Sequence, residues 1–188
     1  MSRVLHQSIG ETGETKMREI NGQTLEDLLD NLQGFIENEL KEFRLPVKRD
    51  GTWKHEPVCR SVEVSQMVMP EPDEDHERVP YILLQLLNGK DERNKYGQME
   101  CVVSVRVIVT IFNRDKREGR MQLLYIIQRL RKAFLLAGVI GGCFELRWPL
   151  EYLIYPDDAE SYHLGEMATS WSVPGIERDI PWLSEGRM

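Results

Sequence analysis

The stretch from Met99 to Leu136 constrains the fold more than any other. Cys101, Val103, Val105, Val107, Val109 and Ile111 alternate with Val102, Ser104, Arg106, Ile108, Thr110 and Phe112. Side chains leave a strand on alternate faces. The spacing therefore predicts one long strand with an unbroken apolar face and a second face of mixed polarity. The polar run Asn113–Gly119 (NRDKREG) predicts a tight turn. Asp115 is placed to cap the next helix, with Glu118 three residues on as its capping-box partner. Leu123, Ile126, Ile127, Leu130, Ala133, Phe134 and Ala137 then share one helical stripe. Arg129, Arg131 and Lys132 lie toward the C-terminal end of that helix, where cations suit the dipole, and Gly138 is the expected stop. A strand feeding a helix that packs back on its sheet is the nucleus of the domain.

The remaining segments build on it. Thr24 reads as an N-cap with Asp27 in the first turn, ahead of a stripe of Leu25, Leu28, Leu29, Leu32, Ile36, Leu40 and Phe43 that Pro46 should end. Val58 to Met69 alternates as a strand with one wet face, and Val79 to Leu87 resumes as a strand after the acidic run PEPDEDHER. Residues 88–98 (NGKDERNKYGQ) read as a polar connection at the tip of a hairpin. A glycine-rich turn at 137–142 leads to one broken or two short strands over 144–155. A last strand runs from Tyr162 to Val173, with Met167, Thr169 and Trp171 on one side. The expected fold is α+β, with two main helices on one face of a mostly antiparallel or mixed sheet. That domain spans residues 24–178, between a polar arm at 1–23 and an irregular tail at 179–188.

Charge and cysteine usage narrow the function classes. A net charge of −7 argues against broad binding to nucleic-acid phosphates or anionic membranes. No apolar run approaches the ~20 residues needed to span a bilayer, and residues 1–16 lack the apolar core of a secretory signal. Cys59, Cys101 and Cys143 are odd in number and widely spaced, which fits reduced thiols in a cytoplasmic setting and no metal framework.

Candidate chemistry does not assemble. Glu71, Asp73, Glu74, Asp75 and Glu77 flank His76 but lack the alternating ligands, central glycine and late glutamate of a calcium loop. A solvated surface loop is the better reading. A nuclease-type carboxylate cluster starting at Asp73 fails because the next strand, YILLQLL, carries no acid–lysine pair. His6, His55, His76 and His163 sit in polar settings without a nucleophile motif, and Gly138, Gly141 and Gly142 follow a helix where a phosphate loop would follow a strand. Trp148, Tyr152, Tyr155, Tyr162 and Trp171 are surrounded by carboxylates, so core packing or a protein interface suits them better than base stacking. No catalytic, metal or cofactor-binding residue is expected.

Several segments in this order resemble the tail terminator, or tail-completion, proteins of long-tailed bacteriophages and prophages. They are Pro80-Tyr81-Ile82 opening a strand, the tip GKDERNKYG and the valine-rich strand ending at Ile111-Phe112 before NRDKREG. The helix with Leu123, Ile126, Ile127 and Leu130 follows, and then an ending of Trp171, Pro174, Ile176 and Arg178. The likeness covers roughly residues 24–178; the acidic run before Pro80 and the final PWLSEGRM are extras. It implies a non-enzymatic virion protein, assembled in the host cytoplasm, that forms a ring, commonly of six, on the tail tube. Such a ring stops tube growth and offers a surface to the head connector. Its partners would be further copies of itself, the tube protein and the connector, with no specific nucleic acid and no membrane. Lys90, Asp91, Arg93, Lys95 and Tyr96 in the hairpin tip, with Arg114, Lys116 and Arg117 in the turn, are the candidate contacts with a neighbour or the tube. Two readings compete: a protein-binding module using the aromatic C-terminal region, and an enzyme with a site built from scattered residues.

Overall fold

A computed structural model describes residues 24–46, 59–69, 80–156 and 161–176. The expected acidic loop, the N-terminal arm and the C-terminal tail lie outside the described residues, as do His6, His55 and His76. Among the described residues the architecture is α+β, with two helices, a mixed six-stranded sheet and a separate two-stranded one. In chain order the elements are α1 (Leu25–Leu40), β1 (Leu45–Pro46), β2 (Cys59–Arg60), β3 (Glu63–Gln66), β4 (Tyr81–Arg93) and β5 (Met99–Phe112). They continue with α2 (Lys116–Ala137), β6 (Val139–Ile140), β7 (Phe144–Ile154) and β8 (Tyr162–Pro174).

The sheet runs β3-β4-β5-β8-β7-β6, with β3 parallel to β4 and every other pair antiparallel. The long strand predicted around Val105 is its centre. Val103, Val105, Val107, Val109 and Ile111 are buried in one core with Leu28, Leu32 and Ile36 of α1 and Leu123, Ile127, Leu130 and Phe134 of α2. Both helices therefore cover the same face, because each has one apolar stripe and only this face offers a continuous apolar surface. Phe134 fixes the layers together: it stacks on Phe35 of α1 at 5.6 Å and meets the edge of Trp171 on β8 at 5.7 Å.

Helix ends follow their caps. Thr24 caps α1 through a complete box with Asp27. The Asp115 carboxylate accepts from the Glu118 amide at 2.9 Å, so half of the expected box at α2 is present. Gly138, at φ +66°, ends α2 with its amide donated to the Phe134 carbonyl.

Several boundaries move. The helix α2 starts at Lys116, so Lys116–Gly119 form its first turn and the loop shrinks to Asn113 and Arg114 before the Asp115 cap. The helix ends at Gly138 as expected, but Arg129, Arg131 and Lys132 fall short of its last turn, which carries no base. The helix α1 ends at Leu40, well before Pro46, and Phe43 folds back through its amide to the Leu40 carbonyl. The strand expected over 58–69 splits into β2, which pairs with β1, and β3, which pairs with β4. Residues 88–93 are strand: β4 pairs with β5 out to Arg93 and Met99, and only 94–98 form the turn.

Candidate interaction surface

The candidate contact residues occupy two places. Lys90, Asp91 and Arg93 lie on β4, with Lys95 and Tyr96 in the turn beyond, all exposed. Arg114, Lys116 and Arg117 lie at the start of α2, also exposed. The two groups sit at opposite ends of the 14-residue β5, about 45 Å apart at the usual strand rise. They do not form one patch, which the linear sequence could not reveal because it carries no distances.

The first group belongs to the exposed end of the edge strand β4 and its turn. From Leu87 to Gln98 neither face is buried, whereas Ile82, Leu83 and Leu84 on the same strand are. A register shift between Leu86 and Asn88 marks the change from buried strand to exposed edge. The tip is braced internally. The Asn94 side-chain oxygen accepts from the amides of Tyr96 (2.9 Å) and Gln98 (3.1 Å), and the Asn94 and Gln98 backbones pair at 2.9 Å. Lys95 lies over the Tyr96 ring at 4.9 Å, and Lys90 is ion-paired with Glu92. On the helix-covered side, burial and then the neighbouring Asp91 carboxylate push the Cys101 thiol up to about 11.

The aromatic set divides. Trp171 is core, its indole N–H donated to the Thr169 hydroxyl, which in turn donates to the Val105 carbonyl. Tyr162 packs edge-on against Phe112 on the face away from the helices. Trp148 and Tyr152 on β7 stay in solvent, 76% and 50% exposed, beside exposed Leu153. His163, expected in a polar setting, is fully buried on β8 with its Nε2 3.0 Å from the Asn113 carbonyl. Its parity with Met167, Thr169 and Trp171 carried that signal, since residues two apart share a face.

An open hollow of about 430 Å³ lies between α1 and α2, lined by Phe35, Glu39, Arg129, Lys132 and Leu136. Arg129 pairs with Glu39 across it at 3.3 Å, and neither Asp27 nor Cys101 lines it. Among the described residues no three His, Cys, Asp or Glu side chains are grouped to hold a metal ion. No described helix is long and apolar enough to cross a membrane.

Two edges of the sheet are left open among the described residues. β3 pairs with β4 only over Tyr81–Leu84, leaving the outer side of residues 87–92 without a neighbouring strand. β6 pairs with β7 only at Phe144 and Glu145, leaving residues 147–154 likewise. The covered corners, β3 and β6, both contact α1: Gln66 of β3 donates to Asp30 and Gln33, while Asn31 lies against Gly141. Twist brings one diagonal pair of corners toward the helical layer, and α1 bridges that pair. The open edges are the other diagonal. No protein-family model and no curated protein matches this chain.

Proposed function

We propose that this chain is a structural assembly protein of the tail-terminator kind, acting as an oligomeric ring that caps a phage tail tube and contributes to head–tail joining. The observation that carries this reading is the outer stretch of β4 with its turn, internally braced yet wet on both faces from Leu87 to Gln98, while its partner β5 stays within the sheet. An edge-strand stretch whose own side chains are all in solvent exposes its outer backbone at a cost in solubility, and such edges are kept where another surface covers them. The sequence likeness supplies the class of assembly; the α+β architecture is compatible with it. The negative net charge suits a conduit through which DNA passes without sticking.

The test is native mass across concentration, by light scattering after size exclusion. The expected result is a discrete closed species, about 132 kDa for six copies of the 22.0 kDa chain, appearing as concentration rises. A monomer at every concentration would instead favour a monomeric binding module, the reading to which exposed Trp148 and Tyr152 lend specific support.

A further inference from the structure

We infer that successive copies join edge to edge, the outer side of β4 in one copy pairing antiparallel with the outer side of β7 in the next, so that the sheets continue across the interface. This rests on the ring reading above and names the surfaces that build it.

Strand direction permits the junction. β4 and β7 are separated by β5 and β8, each antiparallel to its neighbour, so β4 and β7 run in opposite directions. A second copy laid beside the first in the same orientation therefore presents β7 antiparallel to β4. This contact is heterologous, using two different patches, and closes into a ring when the rotation closes.

Backbone polarity agrees. On β7, the Tyr155 amide donates inward to the Leu164 carbonyl, so alternation turns the polar groups of Tyr152 and Ile154 outward. On β4, the Leu84 carbonyl and Leu86 amide face outward to Met67. Past the register shift, Asn88 and Lys90 face β5, and Gly89 and Asp91 turn outward. Gly89 pairs with Val103, and Tyr152 pairs with Met167, which in turn pairs with Val107. Both thus belong to the helix-covered side. Outward groups and side-chain faces match across the proposed seam.

One register satisfies these conditions with favourable side-chain pairs. Gly89 opposite Tyr152 gives an outward, hydrogen-bonded pair in which the exposed phenol ring covers a residue with no side chain. Lys90 then stands opposite Glu151, and Asn88 opposite Leu153. Lys90 pairs with Val102 and Glu151 pairs through Ala168 with Arg106, which places both charges on the face away from the helices. Opposite charges directly across an antiparallel seam attract, and their Cβ atoms come within about 5 Å. The register shift between Arg147 and Glu151 limits the regular pairing to residues 151–154.

The test is cysteine cross-linking at Lys90 and Glu151 in a background of Cys59→Ser and Cys143→Ser, under mild oxidation. The double variant Lys90→Cys with Glu151→Cys should give a ladder of covalent oligomers on denaturing gels, and neither single variant should. Separately, Lys90→Glu or Glu151→Lys should raise the assembly midpoint about fivefold, and combining them should restore it. A ring by light scattering with no ladder would overturn the edge pairing and leave the ring reading standing. A covalent dimer from either single variant would overturn it in favour of a two-fold contact. A strict monomer would remove both.

Discussion

At the scale of single residues, glycine at 119 is decided by a side chain far along the chain, that of His163. An ideal Cβ on Gly119 would stand 2.1 Å from Nε2 of His163, so the ring occupies the space that any side chain would need. The histidine is held there by its contact with the Asn113 carbonyl and cannot withdraw without leaving that partner. Gly119→Ala is expected to destabilise the fold by about 1–3 kcal/mol through overpacking. Gly34 on α1 is the opposite case, with nothing within 4 Å of where a methyl group would sit. Gly34→Ala is expected to stabilise by up to about 1 kcal/mol, because alanine removes helix-interior entropy cost at no steric expense. Denaturant midpoints of the two variants check both signs.

At the scale of elements, the caps set where the helices begin. Thr24 Oγ1 accepts from the Asp27 amide at 3.1 Å, and the Thr24 amide donates to the Asp27 carboxylate at 2.7 Å. Thr24→Ala is expected to cost about 1 kcal/mol, read from the thermal midpoint. The backbone amide and then the hydroxyl of Thr24 hold the Asp27 carboxyl below its ordinary value of 3.8. A carboxylate with a lowered folded pKa contributes stability that is present above its unfolded value and lost as pH falls through the folded one. Thr24→Ala keeps the backbone amide and removes only the hydroxyl's share, so the difference from wild type should persist at neutral pH and shrink in part below pH 3.8.

At the scale of the whole molecule, the described residues cover the sheet on one face and along one diagonal. The proposed seam makes a statement about the other diagonal that hydrogen exchange can read without any substitution. Outward amides at Gly89, Asp91, Tyr152 and Ile154 should exchange rapidly in dilute monomer and slow on assembly. Amides of Val105 and Thr169, inside the sheet, should be protected in both states. Equal exchange at 89 and 152 in monomer and assembled material would contradict the seam.

The sequence alone determined the elements whose signals are local. The parity of Val103 to Ile111 fixed the central strand and its buried face, the stripes from Leu28 to Ile36 and from Leu123 to Phe134 fixed both helices, and Thr24, Asp115 and Gly138 fixed three of their ends. Those signals repeat every two or 3.6 residues and survive without knowledge of any partner. Tertiary structure decided the rest. Residues 88–93 are polar and read as a connection, yet pairing with Cys101 and its neighbours makes them strand, because backbone hydrogen bonds to an adjacent strand do not depend on side-chain hydrophobicity. The hairpin and α2 candidate residues fall at opposite ends of the sheet because of strand length, and His163 is buried because α2 folds over β8. Which edges stay open among the described residues follows from the short reach of β3 and β6, a property of strand pairing that no single stretch of the chain encodes.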